Sequence, residues 1–341
     1  MGCDKRRIYI HPSITVAAQV ETDAADRYLP KMCIFRPLSR SSDALYAFTH
    51  MPTPAIPSLM QIVHTVSELQ QRLRAERAQG AKIGFVPTMG ALHEGHLSLL
   101  RKAREENDKV VCSIFVNPTQ FNDPKDLEKY PRMPEADLRL LDSVSCDYVF
   151  MPPAEEIYPS GYTLLNLDFG TLETVMEGEY RPGHFKGMAT VVKRLFDITE
   201  PHHAYFGEKD FQQLAIIRNM VQRLQLPVTI HGCSTLREAD GLAMSSRNLL
   251  LTPAQRKDAP MIYKGLQMAQ EYIPHQSPAA VKALVTRFIQ QSTQLHVQYF
   301  DIVHPLTLES ISDWGHSGEA QGCIAVLTEG PRLIDNVHYT W

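Results

Sequence analysis

Apolar residues are distributed along this chain in two alternating patterns, short continuous runs and longer stretches with helical spacing. Continuous runs at residues 83–86 and 110–116 are typical of strands buried on both faces of a sheet. Apolar residues that recur every three or four positions predict amphipathic helices between the runs. The predicted order is helix 66–79, strand 82–87, helix 95–106, strand 110–116, helix 134–143, strand 148–150, helix 186–198, strand 204–206, helix 210–224 and strand 228–230.

The alternation of strands and helices favours one fold class. Strands joined through helices form parallel sheets with right-handed crossovers, so we expect an α/β protein with a Rossmann-like parallel sheet flanked by helices. We place this domain at residues 60–235 and a smaller C-terminal α+β domain at 236–341. The C-terminal pattern predicts helices at 253–272 and 278–294, followed by short strands at 298–303, 323–327 and 332–337.

Residues 1–59 differ in character from the rest of the chain. They lack hydrophobic periodicity and end in a proline-rich stretch at residues 51–57. Arg6 breaks the N-myristoylation pattern, and the acidic residues of the segment fit poorly with a transit peptide. We therefore expect residues 1–59 to be an N-terminal extension that is disordered or not native.

Composition excludes several classes of protein. The chain has 341 residues, enough for two domains, and a formal net charge of −4 at pH 7. Because it has no basic patch, we expect no nucleic-acid partner. No apolar run is long enough to span a bilayer, so we also expect no membrane partner. The six cysteines are scattered without a Cys-x-x-Cys pair, which favours reduced thiols and a cytoplasmic location.

The segment at residues 87–96 carries the first candidate chemistry. His93 and His96 follow the apolar run at 83–86 and begin a predicted helix. They therefore lie on the first helical turn, where unpaired N–H groups and the helix dipole attract phosphate. A surface pair or a fragment of a metal site is the alternative. A structural zinc site is disfavoured, because no further ligands stand at suitable spacing.

Two other clusters contain side chains that suit a polyphosphate. The segment at 240–248 combines a glycine, two serines and Arg247, a bidentate donor. The segment at 206–211 adds the point charge of Lys209. Parallel sheets bind ligands beyond the carboxyl ends of their strands, at a switch point in strand order. The polar residues that follow predicted strands are His93, Asn117, Gln120, Lys209 and Gln213.

Five strings of residues resemble the pantothenate synthetase family, a branch of the nucleotidylyltransferase superfamily. The resemblance runs from near Met60, a candidate start, to the C-terminus. It implies ATP-dependent condensation of pantoate with β-alanine to pantothenate, AMP and pyrophosphate, through a pantoyl adenylate. It also implies a homodimer and a C-terminal domain that acts as a lid. The matching strings lie at residues 86–96, 115–121, 181–185, 206–214 and 237–248.

The resemblance assigns roles to individual residues. His96 is implied as the proton donor, and His93, Lys209 and Arg247 as the other catalytic residues. Mg²⁺ is expected to be held mainly by phosphates and water, with no protein ligand assigned and only weak support for Asp137 and Asp210. The implied ATP-binding residues are Met89, Gly90, Ala91, Leu92, His93, Glu94, Gly95, His96, Gly207, Glu208, Lys209, Asp210, Leu236, Met244, Ser245, Ser246 and Arg247.

The expected substrate contacts are amides. Gln120 and Gln213 match the family's pantoate-binding glutamines, and an amide can both donate to and accept from hydroxyls and a carboxylate. Asn117 is a further candidate substrate-binding residue, which either supports a side chain that contacts substrate or contacts β-alanine itself. Residues 122–131 are either a gate over the site or an ordinary solvated loop.

Two other functions remain as alternatives. Another nucleotidylyltransferase of the His-x-Gly-His type would transfer a nucleotide to a phosphate ester and would not need Gln120 or Gln213. A catalytically silent binding protein with the same fold would be expected to have lost a histidine, Lys209 or Arg247, and all of these are present.

Overall fold

The computed structural model describes residues 9–11, 14–15, 60–122, 124–315 and 318–341. The chain divides into two units, Met1–Pro54 and Ala55–Trp341. In the first unit, strand β1 (Tyr9–His11) pairs antiparallel with β2 (Ile14–Thr15). The rest of the predicted N-terminal extension, including its expected disorder, lies outside the described residues.

The second unit is built on a six-stranded parallel sheet with the order β3-β6-β5-β4-β7-β8. From the central strand β4 the chain moves outward on one side through β5 and β6, then returns to the other side of β4 as β7. The switch point therefore lies between β4 and β7, and the predicted Rossmann-like α/β class is confirmed. The strands are β3 (Gln61–Val63), β4 (Ile83–Thr88), β5 (Lys109–Ile114), β6 (Tyr148–Phe150), β7 (His203–Gly207) and β8 (Thr229–Cys233).

Helices cover both faces of this sheet, which explains why its strands have continuous apolar runs. Phe85 faces a core shared with α1, α8 and α9, whereas its neighbour Val86 faces a core shared with α2 and α4. The helices are α1 (Val66–Ala78), α2 (Glu94–Glu106), α3 (Pro124–Lys129), α4 (Pro134–Ser143), α5 (Ala154–Ile157), α6 (Thr171–Thr174), α7 (Glu177–Tyr180), α8 (His184–Thr199) and α9 (Phe211–Arg223).

The C-terminal part contains an antiparallel three-stranded sheet of order β11-β10-β9, with the helices Met261–Tyr272 and Pro278–Ile289 packed on it, as the α+β prediction requires. The predicted single helix 253–272 is wrong in one respect, because the chain breaks before Pro260, which lacks the N–H that a continuous helix needs. The elements are α10 (Pro253–Asp258), α11 (Met261–Tyr272), α12 (Pro278–Ile289), β9 (His296–Val303), β10 (Glu319–Leu327) and β11 (Leu333–Thr340).

A helix must be long and predominantly apolar to span a bilayer. In the part of the chain that the structure describes, no helix combines the length and the apolar character needed to cross a membrane.

Candidate active site

A cleft of about 220 Å³ opens at the carboxyl ends of β4 and β7, at the switch point of the sheet. The sequence motifs after these two strands meet there, together with the serine- and arginine-bearing loop from much later in the chain. The predicted residues that line the cleft are Met89, His93, Gly95, His96, Gln120, Gly207, Lys209, Asp210, Gln213, Leu236, Met244, Ser245, Ser246 and Arg247.

The turn that follows β4 is held by a buried carboxylate. Gly90 has φ +80° and Ala91 has φ 48°, so the chain turns sharply before α2. Asp137 of α4 accepts hydrogen bonds from the N–H groups of Ala91 at 3.0 Å and Leu92 at 2.7 Å. A Cβ at Gly90 would lie 3.0 Å from the same carboxylate. Asp137, weighed above as a magnesium helper, is therefore committed to shaping the turn.

The two histidines of the turn cap α2 reciprocally. Nδ1 of His93 accepts a hydrogen bond from the N–H of Gly95 at 3.1 Å, and Nδ1 of His96 accepts from the N–H of His93 at 3.3 Å. The ring centroids are 4.1 Å apart. Because each Nδ1 acts as an acceptor, the proton of each neutral ring sits on Nε2.

Both imidazoles are neutral at physiological pH. Burial is the main reason that the pKa of His93 falls to about 4 and that of His96 to about 3, and the charge of Lys209 lowers both further. His96 therefore presents an Nε2–H hydrogen-bond donor. Before it can act as the expected proton donor, a nearby anion such as a phosphate must raise its pKa.

Lys209 lies on the 3₁₀ turn Glu208–Asp210 that directly follows β7. Its Nζ is 4.0 Å from the carboxylate of Asp210. Nδ2 of Asn336, on β11, donates to the carbonyl oxygens of Glu208 at 2.9 Å and Lys209 at 2.8 Å. The C-terminal sheet thus holds the backbone of the lysine turn.

The serine and arginine loop contacts both the β4 turn and helix α3. Ser246 Oγ donates to the carbonyl oxygen of Ala91 at 2.8 Å, and Ser245 Oγ accepts from the N–H of Arg247 at 3.2 Å. The guanidinium of Arg247 is 3.0 Å from the carboxylate of Asp126 and 5.5 Å from the ring centroid of Tyr130. Residues 122–131 were predicted as a gate or a solvated loop. They contain the short helix α3, whose Asp126 carboxylate forms an ion pair with Arg247.

The start of this loop is attached to the C-terminal sheet by a charged pair. Arg237 donates two hydrogen bonds, at 2.7 and 3.0 Å, to the buried carboxylate of Asp335 on β11. Its guanidinium also lies 3.6 Å from the ring centroid of Tyr263. Two-point contact and stacking fix the direction in which the loop leaves β8.

Gln120 is positioned by contacts with three side chains that the sequence did not predict. Its Oε1 accepts from Nδ2 of Asn117 at 3.1 Å, and its Nε2 lies 3.1 Å from Sδ of Met89. His184 Nδ1 bonds to the carbonyl oxygen of Gln120 at 2.8 Å, and burial lowers the pKa of His184 to about 4, so the neutral ring donates this bond. Helix α8 approaches so closely here that a Cβ at Gly187 would lie 2.1 Å from a backbone oxygen.

Six of the predicted residues are not among the described residues that line the cleft. Asn117 is buried, and its Oδ1 accepts hydrogen bonds from Thr119 and from Tyr158 at 2.8 Å, so it supports Gln120. Glu94 is exposed and pairs with Arg101 at 2.8 Å. The others contribute backbone to the two turns: Gly90, Ala91, Leu92 and Glu208.

Sequence reasoning missed one wall of the cleft. Helix α8 was predicted, but its apolar face cannot be distinguished by periodicity from a face that only packs in the core. Ser234 and Thr235, directly after β8, were missed as well, and Tyr130 was not singled out within the segment 122–131, because no local motif marks these residues. The unpredicted lining includes Thr88, Leu99, Phe115, Tyr130, Met188, Val191, Val192, Leu195, Tyr205, Ser234 and Thr235.

The sequence matches known proteins along most of its length. The family model described as pantoate-beta-alanine ligase matches residues 61–338. A pantothenate synthetase from Porphyromonas gingivalis is 50% identical over 280 residues, which cover 82% of this chain and 99% of that protein. One from Bacteroides thetaiotaomicron is 46% identical over 280 residues, with the same 82% and 99% coverage.

Solved structures agree with the sequence matches. The pantothenate synthetase of Thermus thermophilus superposes with a TM-score of 0.76 at 45% identity, covering 82% of this chain and 99% of that one. A pantoate-beta-alanine ligase from Francisella tularensis, complexed with beta-gamma ATP and beta-alanine, gives a TM-score of 0.69 at 37% identity, with 82% and 97% coverage.

Proposed function

This chain belongs to the pantoate–β-alanine ligase family, so its reaction is the ATP-dependent condensation of pantoate with β-alanine, and we propose that the cleft carries it out through a pantoyl adenylate. A carboxylate oxygen is a poor leaving group, so the pantoate carboxylate first attacks the α-phosphorus of ATP and expels pyrophosphate. The amine of β-alanine then attacks the activated carbonyl and releases AMP.

The phosphates of ATP are proposed to bind between the β4 turn and the serine and arginine loop. Here the Nε2–H donors of His93 and His96 face the same cleft as Lys209, Ser245 and Arg247. Neutral donors at the helix N-terminus and the cations Lys209 and Arg247 together match a triphosphate, which carries negative charge on each of its phosphates. This convergence is the observation that carries the proposal.

The first chemical step needs stabilisation of charge rather than a nucleophilic side chain. Donors that are already oriented stabilise charge that develops on phosphate oxygens without reorganising. His96 is held by its backbone hydrogen bond, so its Nε2–H direction is set before ATP binds. When phosphate binds, its negative charge raises the pKa of His96 toward the range in which the ring can also give up a proton.

Pantoate is proposed to lie between Gln120, Gln213 and the apolar face of α8. Pantoate has two hydroxyls and a carboxylate for the amides, and two methyl groups for an apolar wall. Met188, Val191 and Leu195 supply such a wall in the same cleft. A site that combines these features discriminates pantoate from a phosphate ester, which offers no methyl groups for α8.

The C-terminal part is proposed to act as a lid over the reaction. Bonds from Asn336 to the lysine turn and from Arg237 to Asp335 connect the C-terminal sheet to both phosphate-binding segments. Movement of residues 236–341 would therefore change the positions of Lys209 and Arg247 together. Exclusion of water during the adenylate stage protects the intermediate from hydrolysis.

Mg²⁺ is proposed to enter with ATP, held mainly by phosphate oxygens and water. In the described residues no three His, Cys, Asp or Glu side chains converge as a metal site would require. The half-exposed carboxylate of Asp210 lines the cleft and suits a single supporting contact. This arrangement fits a cation that keeps much of its hydration.

A homodimer and a cytoplasmic location complete the proposal, and both rest on the resemblance to the family and on the cysteine pattern. Sedimentation of the purified chain tests the first, and fractionation of cells that produce it tests the second.

The decisive experiment is exchange of labelled pyrophosphate into ATP, measured without β-alanine. We expect exchange that depends on pantoate, because only the adenylate step is reversible under these conditions. Pantothenate should form once β-alanine is added. Exchange that requires a phosphate ester instead of pantoate would overturn the assignment in favour of another nucleotidylyltransferase.

A further inference from the structure

A second cavity adjoins the ATP cleft on the side of the C-terminal sheet. It has a volume of about 260 Å³ and shares Lys209, Asp210, Ser245 and Arg247 with the cleft. Its far wall includes Arg181, from a string that the proposed chemistry has not used. Because the shared residues include Lys209 and Arg247, an anion in either cavity lies beside the same two cations.

The arginines of the far wall differ in how far their charge is compensated. Arg332 donates two hydrogen bonds, at 2.8 and 2.6 Å, to the buried carboxylate of Glu177, which also accepts one from Tyr299 at 2.9 Å. Arg181 is only within 3.5 Å of the same carboxylate. Because Glu177 is already engaged by Arg332, the positive charge of Arg181 is compensated only in part.

Arg181 also faces other cations across the cavity. Burial lowers the pKa of Arg181; the attraction of Glu177 opposes this shift, and repulsion from Arg247 and Arg332 adds to it, although a guanidinium remains protonated at neutral pH. Asp126, the present partner of Arg247, lines the same cavity. A multiply charged anion bound there would relieve the repulsion between the two arginines.

We propose that this cavity receives the inorganic pyrophosphate released in the adenylate step, with Arg181 as a ligand that the product meets after it leaves the cleft. The inference rests on the proposed function. A pantoate carboxylate oxygen forms a bond to the α-phosphorus, and the bond from that phosphorus to the bridging oxygen of the β-phosphate breaks. The electron pair stays on the bridging oxygen, so the separating pyrophosphate carries the added charge.

The number of cations favours pyrophosphate over the carboxylate of β-alanine as the occupant. A diphosphate has oxygens enough to contact Arg181, Lys209 and Arg247 together, and guanidinium groups bind such oxygens in bidentate fashion. A single carboxylate would neutralise only one of them. Withdrawal of pyrophosphate into this cavity separates it from the α-phosphorus, which opposes reversal while β-alanine reacts.

The test compares Arg181→Met with Arg139→Met, a matched loss of charge at an exposed residue of α4. Calorimetry measures the Kd of magnesium pyrophosphate and of magnesium ATP for each folded variant. Loss of a charge-assisted contact predicts a pyrophosphate Kd raised by about 10- to 100-fold in Arg181→Met. The Kd for ATP should stay close to that of Arg139→Met.

Three results would overturn the proposal. One is an equal pyrophosphate Kd in the two variants. Another is a parallel loss of ATP affinity, which would place Arg181 in the ATP cleft itself. The third is a raised KM for β-alanine with pyrophosphate affinity intact, which would assign the cavity to the amine substrate.

A second variant covers the case in which Arg181→Met does not fold. Arg181→Lys retains the charge near Glu177 but cannot form a bidentate contact, so its pyrophosphate Kd should rise severalfold, and an unchanged value would again overturn the proposal. Failure of the proposed function is detected separately, because pantoate-dependent exchange is measured on the unsubstituted protein.

Discussion

The two sides of the cleft are built on different principles. We call the β4 turn with its histidines, the segment Asn117–Gln120 and helix α8 the sheet side. The lysine turn, residues 234–247 and helix α3 form the loop side. Polar groups of the sheet side are neutral and are bonded to backbone, as His96 and His184 show. Charged groups of the loop side are paired with carboxylates, as Arg247 is with Asp126.

This difference indicates how the cleft responds to substrate. On the sheet side, ATP and pantoate meet donors that are already oriented, so little rearrangement precedes the chemistry. On the loop side, we expect the triphosphate to replace Asp126 as the partner of Arg247. We therefore expect the first arrangement to determine the rate of reaction, and the second to determine the affinity for ATP and the release of its products.

The largest effect is expected from His96→Ala on the sheet side. Removal of a pre-oriented donor to the reacting phosphate should lower the rate of adenylate formation by about 10²–10³-fold. Single-turnover formation of pantoyl adenylate, measured at saturating ATP and pantoate, gives this rate directly.

A matched variant separates the donor from the ring. His96→Gln places an amide N–H near the position of Nε2, so it should retain more activity than His96→Ala. Near-normal turnover by a folded His96→Ala protein would remove this residue from the catalytic set.

Gln213→Leu, on helix α9, tests the proposed pantoate subsite. An apolar side chain of similar size leaves substrate hydroxyls or carboxylate unpaired, which costs about 1–3 kcal/mol, or roughly 5–150-fold in pantoate binding. Titration of pantoate at saturating ATP and β-alanine measures the change, and the Kd for ATP should stay nearly constant. Unaltered kcat and KM for pantoate would show that Gln213 does not contact this substrate.

Asp137→Asn tests how firmly the β4 turn is held. An asparagine can accept one of the two backbone N–H bonds, but its amide nitrogen then faces the other N–H, so we expect a loss of about 1–3 kcal/mol in the free energy of unfolding. Urea unfolding measures this loss against Asp142→Asn, an exposed residue of the same helix. Equal stability of the two variants would contradict the anchoring role.

The neutral histidines of the sheet side predict how stability depends on pH. The pKa values of His93, His96 and His184 are lowered to about 4, 3 and 4, so the unfolded chain binds more protons between about pH 6.5 and pH 4. The free energy of unfolding should therefore fall as the pH decreases through this window. His184→Asn keeps a donor near the position of Nδ1 and removes one titrating group. The free energy of unfolding of this variant should therefore change less with pH, as measured by urea unfolding at pH 7, 6 and 5.

The smallest effect is expected from Asp126→Asn on the loop side. An exposed ion pair contributes about 0.2–1 kcal/mol, so freeing Arg247 should tighten ATP binding by no more than about 5-fold, with stability nearly unchanged. Calorimetry with ATP measures this against the same Asp142→Asn control. Weaker ATP binding in Asp126→Asn would mean that this carboxylate assists ATP instead of competing with it.

The fold could be predicted from sequence wherever burial leaves a regular apolar pattern, either a continuous run or a helical repeat. Strand β4 and helix α8 were predicted because burial in the hydrophobic cores alone determines which of their residues are apolar. The break before Pro260 was missed because the helical spacing continues across it, and α3 was missed because a short exposed helix has no buried face.

The candidate site divides in a similar way. His93 and Lys209 lie in motifs that directly follow strands, so their place in the site could be predicted from the sequence. The contacts of Asp137 with Leu92 and of Asp126 with Arg247 join residues 45 and 121 positions apart. Such pairings depend on tertiary packing, so local sequence patterns do not contain them. The sequence therefore does not distinguish Asp137, which holds a backbone turn, from Asp126, which pairs with an arginine.

The bond from Asn336 to the lysine turn has a consequence for synthesis of the protein. The parallel sheet and its histidine turn leave the ribosome first, but the carbonyl of Lys209 receives this donor only after a further 127 residues. A nascent chain therefore lacks a braced lysine turn until its final strand has folded back. Translation thus delays assembly of the complete ATP cleft, so partial chains are poorly equipped to consume nucleotide.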